Sequence, residues 1–440
     1  MTYITIDRYL REESLEVSSI PSMSKEQVAA RLAECQAIYA DYQAQSLALD
    51  MSRGKPGPEQ LDISMEVLNC VNAREGFLSN NNTDTRNYGL VDGLAEAKTL
   101  FGEILDMPAD LVIVGGNSSL NMMFDYITQA VVSGICGNAP WLKQGKVKFL
   151  CPVPGYDRHF AVTERYGIEM IPVVMKATGP DMDEVERLVQ DPAVKGIWCV
   201  PMYSNPDGIT YADETVRRFA RLQPAAPDFR IMWDNAYCVH HLNDTPDTLL
   251  NLYKEAEAVG NEDIVIQFTS TSKISFPGAG VAALAASPAN IADIKARMTI
   301  QTISHDKINM LRHTRYFKNL DGVREHMKRH AAVLRPKFDV VLNTLDTRLG
   351  NKDIARWHKP NGGYFVSVEL MEGTAAETVR LLKSAGVVLT PAGATYPYGK
   401  DPKDATLRIA PSYPSLAELQ TAMDLFCICA EIAALNKLLA

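Results

Sequence analysis

The strongest constraint on the fold is a regular alternation of short apolar runs with helical patterns in the middle of the chain. Helical spacing separates most of these runs, for example over residues 181–190 and 213–222. Strands that alternate with helices are typical of a parallel sheet covered by helices on both faces. The sequence therefore predicts an α/β protein with strands near residues 111–114, 147–151, 168–174, 196–200, 230–233 and 264–268.

The two ends of the chain have a different pattern. Ser24 and Gln27 form a capping box that opens a helix to about residue 47, and Ser415 with Glu418 repeats this signal near the C-terminus. Short strands also alternate with helices in this part, at 363–369, 386–390 and 406–410. We expect a large domain over 55–330 and a smaller α+β domain built from 1–54 and 331–440.

Composition excludes several classes of function. A net charge of −9 and a pI of about 5.5 give no electrostatic support for nucleic-acid binding. No run approaches the roughly 20 apolar residues of a membrane span, and the first residues do not resemble a signal peptide. The eight cysteines are scattered without a CxxC pair, which predicts reduced thiols and a cytoplasmic protein.

A metal site is not indicated either. His326 and His330 share a helix face, but their segment is basic and supplies no third ligand. We therefore expect this pair on a solvated helix face and predict no bound metal.

The most informative stretch of the sequence is the run Ser270-Thr-Ser-Lys-Ile-Ser275, which is centred on Lys273. It directly follows a strand predicted to be buried. Burial disfavours the ammonium and lowers the pKa of a lysine, as an amine requires if it is to form a Schiff base. A loop lysine that reaches water is the alternative, and the neighbouring strands decide between the two.

Other predicted strands also end in polar or aromatic residues, at the edge where open α/β sheets bind their ligands. Asn117, Ser118 and Ser119 lie in a glycine-rich turn before a helix, a combination suited to phosphate. Tyr156 follows the next strand and could stack on a planar ring. Asn205 follows a third strand and can donate a hydrogen bond to a ring oxygen.

Asp234 ends the apolar run 230–233, where a carboxylate is costly unless it meets a cation. A protonated pyridine nitrogen is such a cation, and its acidic partner tunes the chemistry of pyridoxal phosphate. Together these strand ends supply a phosphate site, a stacking ring, a donor, a counter-charge and a lysine. This combination favours a pyridoxal phosphate site.

At these residues the chain resembles the class I/II aminotransferases of pyridoxal-phosphate fold type I, and among them a divergent bacterial branch of aspartate aminotransferases. The resemblance covers about residues 50–435. Its most specific motifs are Asn205-Pro, Asp234-x-x-Tyr237, Ser270-x-Ser272-Lys273 and Leu407-Arg408-Ile409. It implies a large domain with a mostly parallel sheet of the seven-stranded type beside a smaller α+β domain.

The resemblance also assigns roles. Lys273 would form the covalent link to the cofactor and later move the substrate proton. Asp234 would hold the ring nitrogen, Asn205 and Tyr237 the phenolic oxygen, and Tyr156 the ring face. Arg408 would bind the α-carboxylate of the substrate, and the backbone at Gly54 would approach the substrate. The phosphate ligands would be Asn117, Ser118, Ser119, Ser270 and Ser272.

Tyr88 matches the tyrosine that reaches the phosphate from a partner subunit, which implies a homodimer with shared sites. The chain also departs from the family. The arginine that usually anchors the phosphate is absent, because Gly280 or Val281 stands at its position. No motif identifies the residue that recognises a distal carboxylate. Lys307 and Arg312 lie at a suitable distance along the chain.

The implied reaction is ping-pong transamination between L-aspartate and 2-oxoglutarate, with no nucleic-acid or membrane partner. Within the same fold, an aminotransferase for aromatic or other amino acids and a C–S β-lyase remain alternatives. They differ in the distal pocket, where a cation favours aspartate and an apolar wall favours aromatic side chains. A pyridoxal-phosphate-binding transcriptional regulator is a more remote alternative, because only about 50 residues precede the core.

Overall fold

The computed structural model describes residues 19–440. Its α-helices are α1 (Lys25–Gln43), α2 (Pro58–Asp62), α3 (Ala95–Leu105), α4 (Ser119–Val132), α5 (Asp157–Arg165), α6 (Met182–Leu188), α7 (Asp213–Ala220), α8 (Leu252–Glu257), α9 (Pro288–Gln301), α10 (Lys307–Phe317), α11 (Leu320–Leu349), α12 (Ala375–Ser384) and α13 (Leu416–Leu439). Its strands are β1 (Leu49–Asp50), β2 (Val112–Val114), β3 (Lys148–Val153), β4 (Glu169–Lys176), β5 (Gly179–Pro180), β6 (Val194–Cys199), β7 (Arg230–Asp234), β8 (Val265–Ser270), β9 (Ala282–Ala286), β10 (Ala355–Trp357), β11 (Val366–Leu370), β12 (Val387–Val388) and β13 (Thr406–Ile409).

An eight-stranded sheet forms the centre, in the order β2-β9-β8-β7-β6-β3-β4-β5. The five strands from β8 to β4 are parallel, whereas β9 is antiparallel to both of its neighbours and β5 is antiparallel to β4. This confirms the predicted fold class, and the two-residue β5 accounts for the strand beyond the expected seven. The short αβ connections bring the carboxyl ends of β3, β6, β7 and β8 to one edge.

All six predicted central strands are present, with limits shifted by a few residues. Strand β9 is missing from the sequence interpretation. Its segment, Ala282-Ala-Leu-Ala-Ala286, is fully buried but rich in alanine, which has low strand propensity. Burial between β2 and β8 makes it a strand, because both neighbours supply ladder hydrogen bonds.

A second layer combines the two ends of the chain. Helix α1 begins at the predicted capping box, in which the Ser24 hydroxyl accepts from the amide of Gln27, and it ends at Gln43, four residues before the expected limit of about 47. It packs with α11 and α12 around the apolar α13. Strand β11 pairs on either side with β10 and β13, and this register places Ser367 opposite Arg408. The domain limits at 54/55 and 330/331 stay a prediction.

The expectation of a solvated face for His326 and His330 is wrong. Their side chains are buried, at 2% and 0% exposure, and their Nε2 atoms lie 3.1 Å apart. The basic residues Lys328 and Arg329 of the same helix turn are exposed, while the histidines contact Gln60 and Ser64 from a distant part of the chain. Burial lowers the pKa of His326 to about 4 and that of His330 to about 3.

A membrane-spanning helix and a metal site can be looked for only in the part of the chain that the structure describes. Residues 19–440 contain no helix that is long and apolar enough to cross a membrane. Over the same residues, no group of three or more histidine, cysteine or acidic side chains is arranged to hold a metal ion. All eight cysteines are free, and five of them are buried.

Candidate active site

A cavity of about 710 Å³ opens at the carboxyl edge of the central sheet. Its size suits a small organic ligand. A larger groove of about 1180 Å³, lined by Trp233 and Gln267 among others, contains none of the predicted site residues. The edge cavity contains eleven of them: Gly54, Ser118, Ser119, Tyr156, Asn205, Asp234, Tyr237, Ser270, Ser272, Lys273 and Arg408.

Lys273 lies at the base of this cavity, three residues beyond β8. Its Nζ is 5.0 Å from the centre of the Tyr237 ring and 5.8 Å from that of Tyr364, and it has no hydrogen-bond or ion-pair partner within residues 19–440. Burial lowers the pKa of Lys273, the charge of Asp234 opposes this effect, and Arg408 adds to it. The amine is therefore easier to deprotonate than an exposed lysine.

Asp234 ends β7 with only 3% exposure. Its Oδ2 accepts a hydrogen bond from Nε2 of His159 at 3.0 Å. The His159 ring stacks on Trp198, with ring centres 4.5 Å apart. The other oxygen, Oδ1, is buried and meets no hydrogen-bond donor among the described residues. Because an unpaired buried carboxylate oxygen is costly, this atom marks a position for a cationic or donating ligand group.

His159 is a site residue that sequence reasoning missed. It lies in the first turn of α5, three residues after Tyr156, as a single histidine without a local motif. A helical turn places it beside the tyrosine, and the two rings meet edge to face at 4.9 Å. Only the known position of Asp234 in space could have revealed its role.

Tyrosines form two walls of the cavity. Tyr156 lies at the N-terminal end of α5, and burial together with the charge of Asp234 raises its pKa to about 12. Tyr237 has 3% exposure, and burial raises its pKa well above the usual value. Both phenols therefore stay protonated at neutral pH and can donate hydrogen bonds.

Arg408 projects from β13 into the opposite side of the cavity. Its Nη1 donates to Asn205 Oδ1 at 2.9 Å and to Asp157 Oδ1 at 3.1 Å, and its Nη2 donates to Thr390 Oγ1 at 3.3 Å. Its guanidinium carbon lies 4.7 Å above the Phe365 ring. Nε is buried and has no acceptor within residues 19–440. The fork is thus fixed in place while part of its donor set remains free for a carboxylate.

Four serines form a hydroxyl cluster between β8 and α4. Ser118 caps α4 and accepts from a main-chain amide of the first turn, and Ser119 is the first helical residue. The Ser270 hydroxyl donates to that of Ser272 at 3.0 Å. No acidic residue lies in the first turn of α4, so the partial positive charge of the helix end is available to an anion.

The arginine that usually anchors the phosphate in this family is absent because the turn after Lys273 is closely packed. A Cβ at Gly280 would lie 2.8 Å from the main-chain oxygen of Phe276 and 2.9 Å from Thr271 Oγ1, so no side chain fits there. Val281 is buried at 2% exposure, and its amide donates to Thr271 Oγ1. The uncharged ring of His313 lies just behind, with its pKa lowered to about 4 by burial. The position of the usual arginine is therefore held by a closely packed glycine or a buried valine, neither of which carries a charge.

Two predicted phosphate ligands lie outside the cavity of this chain. Asn117 is exposed, and its amide donates to the main-chain oxygen of Pro277 at 3.5 Å. Tyr88 is 77% exposed. Neither side chain contributes to the cavity within the single chain.

Neither candidate for the distal carboxylate lines the cavity. Lys307 is buried at 2% exposure, and its Nζ donates to the main-chain oxygen of Gly89 at 2.9 Å. Arg312 is half-buried and is not among the cavity residues. Lys307 instead anchors the loop that carries Tyr88.

Gly54 lies at a position where no side chain fits. A Cβ there would lie 2.6 Å from Cζ of Phe365, the ring on which Arg408 rests. The loop backbone therefore lies close against Phe365, and Gly54 lines the cavity.

Comparisons with known proteins agree with this geometry. The family described as aspartate amino-transferase matches residues 23–440. A putative aminotransferase of Mycolicibacterium smegmatis is 46% identical over 424 residues, covering 96% of this chain and 99% of the relative. An aspartate aminotransferase of Corynebacterium glutamicum is 44% identical over 397 residues, covering 90% of this chain and 92% of the relative.

A solved structure gives the same result. The crystal structure of an aspartate transaminase from Corynebacterium glutamicum has a TM-score of 0.93 to this chain at 42% identity, and the match covers 96% of this chain and 99% of that one. The chain is an aminotransferase of pyridoxal-phosphate fold type I and belongs to the aspartate amino-transferase family.

Proposed function

We propose that this aminotransferase uses pyridoxal 5′-phosphate to transfer the amino group of L-aspartate to 2-oxoglutarate, forming oxaloacetate and L-glutamate in a ping-pong cycle. One observation carries the proposal. Within residues 19–440, the cavity brings together the Lys273 amine without a hydrogen-bond partner, Asp234 Oδ1 without a donor and Arg408 Nε without an acceptor.

The donor set fits the cofactor. Asp234 Oδ1 would hold the protonated ring nitrogen, and the phenol of Tyr237 with the amide of Asn205 would bind the ring hydroxyl. Tyr156 would cover the ring face. The phosphate would rest on the N-terminus of α4 and on the hydroxyls of Ser118, Ser119, Ser270 and Ser272. When bound, pyridoxal phosphate supplies an electron sink that acidifies the Cα–H bond of an amino acid.

Lys273 Nζ is the proposed covalent attachment point and the group that moves the Cα proton of the substrate. Its lowered pKa leaves more of the amine in the neutral form that can attack a carbonyl or accept a proton. The hydrogen bond from His159 fixes the orientation of the Asp234 carboxylate. Arg408 holds the α-carboxylate, which orients Cα toward Lys273.

The charge of the cavity supports a dicarboxylic substrate. Five basic side chains line it, against the two carboxylates of Asp157 and Asp234. An aromatic substrate would require an apolar wall where these charges lie. The basic residues are Arg53, Lys55, Arg158, Lys273 and Arg408.

We also propose a homodimer with shared active sites and a cytoplasmic location. Tyr88 is exposed and outside the cavity of its own chain, so a contribution to a site requires a second copy. Ile300 and Ile303 are 89% and 63% exposed, which is unusual for isoleucine and suits a covered surface. The free cysteines support a reducing compartment.

A half-reaction screen tests the substrate assignment. Cofactor-loaded protein is mixed with each of the common amino acids, and the visible absorbance of the cofactor is followed as the amino group is transferred. We expect the fastest conversion with L-aspartate and L-glutamate. Inert aspartate and glutamate beside a reactive aromatic amino acid would move the protein to the aromatic class.

A further inference from the structure

The first turn of α5 contains a cation that the proposed chemistry leaves unused. Arg158 lines the cavity and follows directly after Tyr156 and Asp157, which contact other parts of the same site. Its side chain is half-buried and makes no hydrogen bond or ion pair with any residue of 19–440. A half-buried guanidinium without an acceptor is an incomplete arrangement, because its donors are partly removed from water.

The position of Arg158 is also electrostatically unfavourable by itself. It is the second residue of α5, where the helix dipole disfavours a cation. The end of this helix carries no side-chain cap, and the main-chain amides of Asp157 and Arg158 have no acceptor within the described residues. An anion at this point would meet both the guanidinium and the helix amides, so it would remove the unfavourable charge.

The other basic residues of the cavity are less suitable for this task. Lys273 and Arg408 have assigned roles, and Lys55 lies 3.8 Å above the Tyr413 ring and 3.9 Å from Asp50. Arg53 is exposed on a loop, where water and salt weaken an ion pair. Arg158, by contrast, is half-buried, lies on a regular helix and is next to Asp157, which pairs with Arg408.

We propose that Arg158, with the free amides of the first turn of α5, binds the side-chain carboxylate of a dicarboxylic substrate and so determines specificity. This inference rests on the proposed aminotransferase function. It assigns the role that sequence reasoning offered to Lys307 or Arg312. The α-carboxylate binds Arg408, and the second carboxylate extends toward Arg158, whose neighbour Asp157 pairs with Arg408.

The test compares two amino acids on cofactor-loaded protein. Arg158→Gln removes the charge, and Arg165→Gln is the matched control, because Arg165 is exposed in the last turn of the same helix. Hydrogen bonds to charged groups contribute about 1.5–3 kcal/mol, which is about a 10- to 150-fold change. We expect Arg158→Gln to reduce the half-reaction rate constant for L-aspartate by that factor and that for L-alanine by less than about threefold. Arg158→Lys should recover part of the loss.

A second measurement separates binding from folding. Succinate should inhibit the parent enzyme much more strongly than propionate, and Arg158→Gln should abolish this difference. Equal losses for aspartate and alanine, an unchanged aspartate rate, or a selective loss in Arg53→Gln instead would each overturn the inference. If the parent protein is inert toward aspartate and glutamate, the proposed function fails and the inference fails with it. If the parent is active and Arg158→Gln keeps the full aspartate activity, only the inference fails.

Discussion

Replacing His159 by phenylalanine tests whether the hydrogen bond from His159 positions the carboxylate of Asp234. The new ring can keep the stacking on Trp198, now 4.5 Å between ring centres, and the contact with Tyr156 at 4.9 Å. Only the hydrogen bond from Nε2 to Asp234 Oδ2 is lost, at 3.0 Å in a buried setting. The carboxylate then has a second orphaned oxygen, because Oδ1 already lacks a partner among the described residues.

The size of the effect follows from this one bond. A buried hydrogen bond to an ionised group contributes about 1.5–3 kcal/mol, and its loss frees the carboxylate to turn away from the ring nitrogen that it would hold. The charged carboxylate is the form that stabilises a protonated ring nitrogen. We therefore expect kcat to fall by about 10- to 150-fold, with little change in KM for aspartate because Arg408 is untouched.

The assay is steady-state transamination at saturating 2-oxoglutarate, together with thermal unfolding of each variant. Thr163→Val is the matched control. Thr163 accepts a hydrogen bond from Trp198 Nε1 and donates one to the main-chain oxygen of His159 in the same buried cluster, but it makes no hydrogen bond to Asp234. A kcat within twofold of the parent for His159→Phe, or the same loss in Thr163→Val, would refute the assigned role of the histidine.

Two further predictions concern binding and acid stability. Arg408→Ala should raise KM for aspartate by about 100-fold or more, since it removes a charge-assisted fork, while cofactor absorbance persists; an unchanged KM in steady-state assays would contradict the placement of the α-carboxylate. The buried histidines His313, His326 and His330 have folded pKa values near 4, 4 and 3, below the unfolded value of 6.5. The unfolded chain therefore binds more protons below pH 6.5, so stability is lost as the pH falls from 6.5 toward 4, with a slope of up to about 1.4 kcal/mol per pH unit for each ring. Urea unfolding at pH 7, 5.5 and 4.5 measures this, His313→Gln should make the dependence shallower, and a stability that is flat over this range would disprove it.

The parts of the site that were predictable share one property. Asp234 ends strand β7, and Lys273 and Asn205 lie three and six residues beyond β8 and β6, so their chemistry is visible next to a buried background. The carboxyl ends of parallel strands meet at one edge, and this topology brings residues far apart in sequence together. The fold class followed from that pattern, as did the choice of Lys273, Asp234, Asn205 and Tyr156, all of which line the cavity.

The parts that were missed depend on contacts between distant segments. His159 acquires its role only because α5 packs beside β7. His326 and His330 lie among basic neighbours and look solvated, yet Gln60 and Ser64 bury their ring nitrogens in a hydrogen-bonded cluster. Likewise, nothing local to Lys307 indicates that its amine binds the main-chain oxygen of Gly89.

The central claim is that Lys273 is the covalent attachment point of pyridoxal phosphate. Borohydride reduction of the cofactor-loaded protein, followed by proteolysis and mass spectrometry, tests it most directly. We expect one pyridoxyl-phosphate adduct per chain, on the peptide that contains Lys273. The Lys273→Ala variant should form no adduct and should lose normal turnover. An adduct on another lysine, or a Lys273→Ala protein that transaminates at the parent rate, would contradict it.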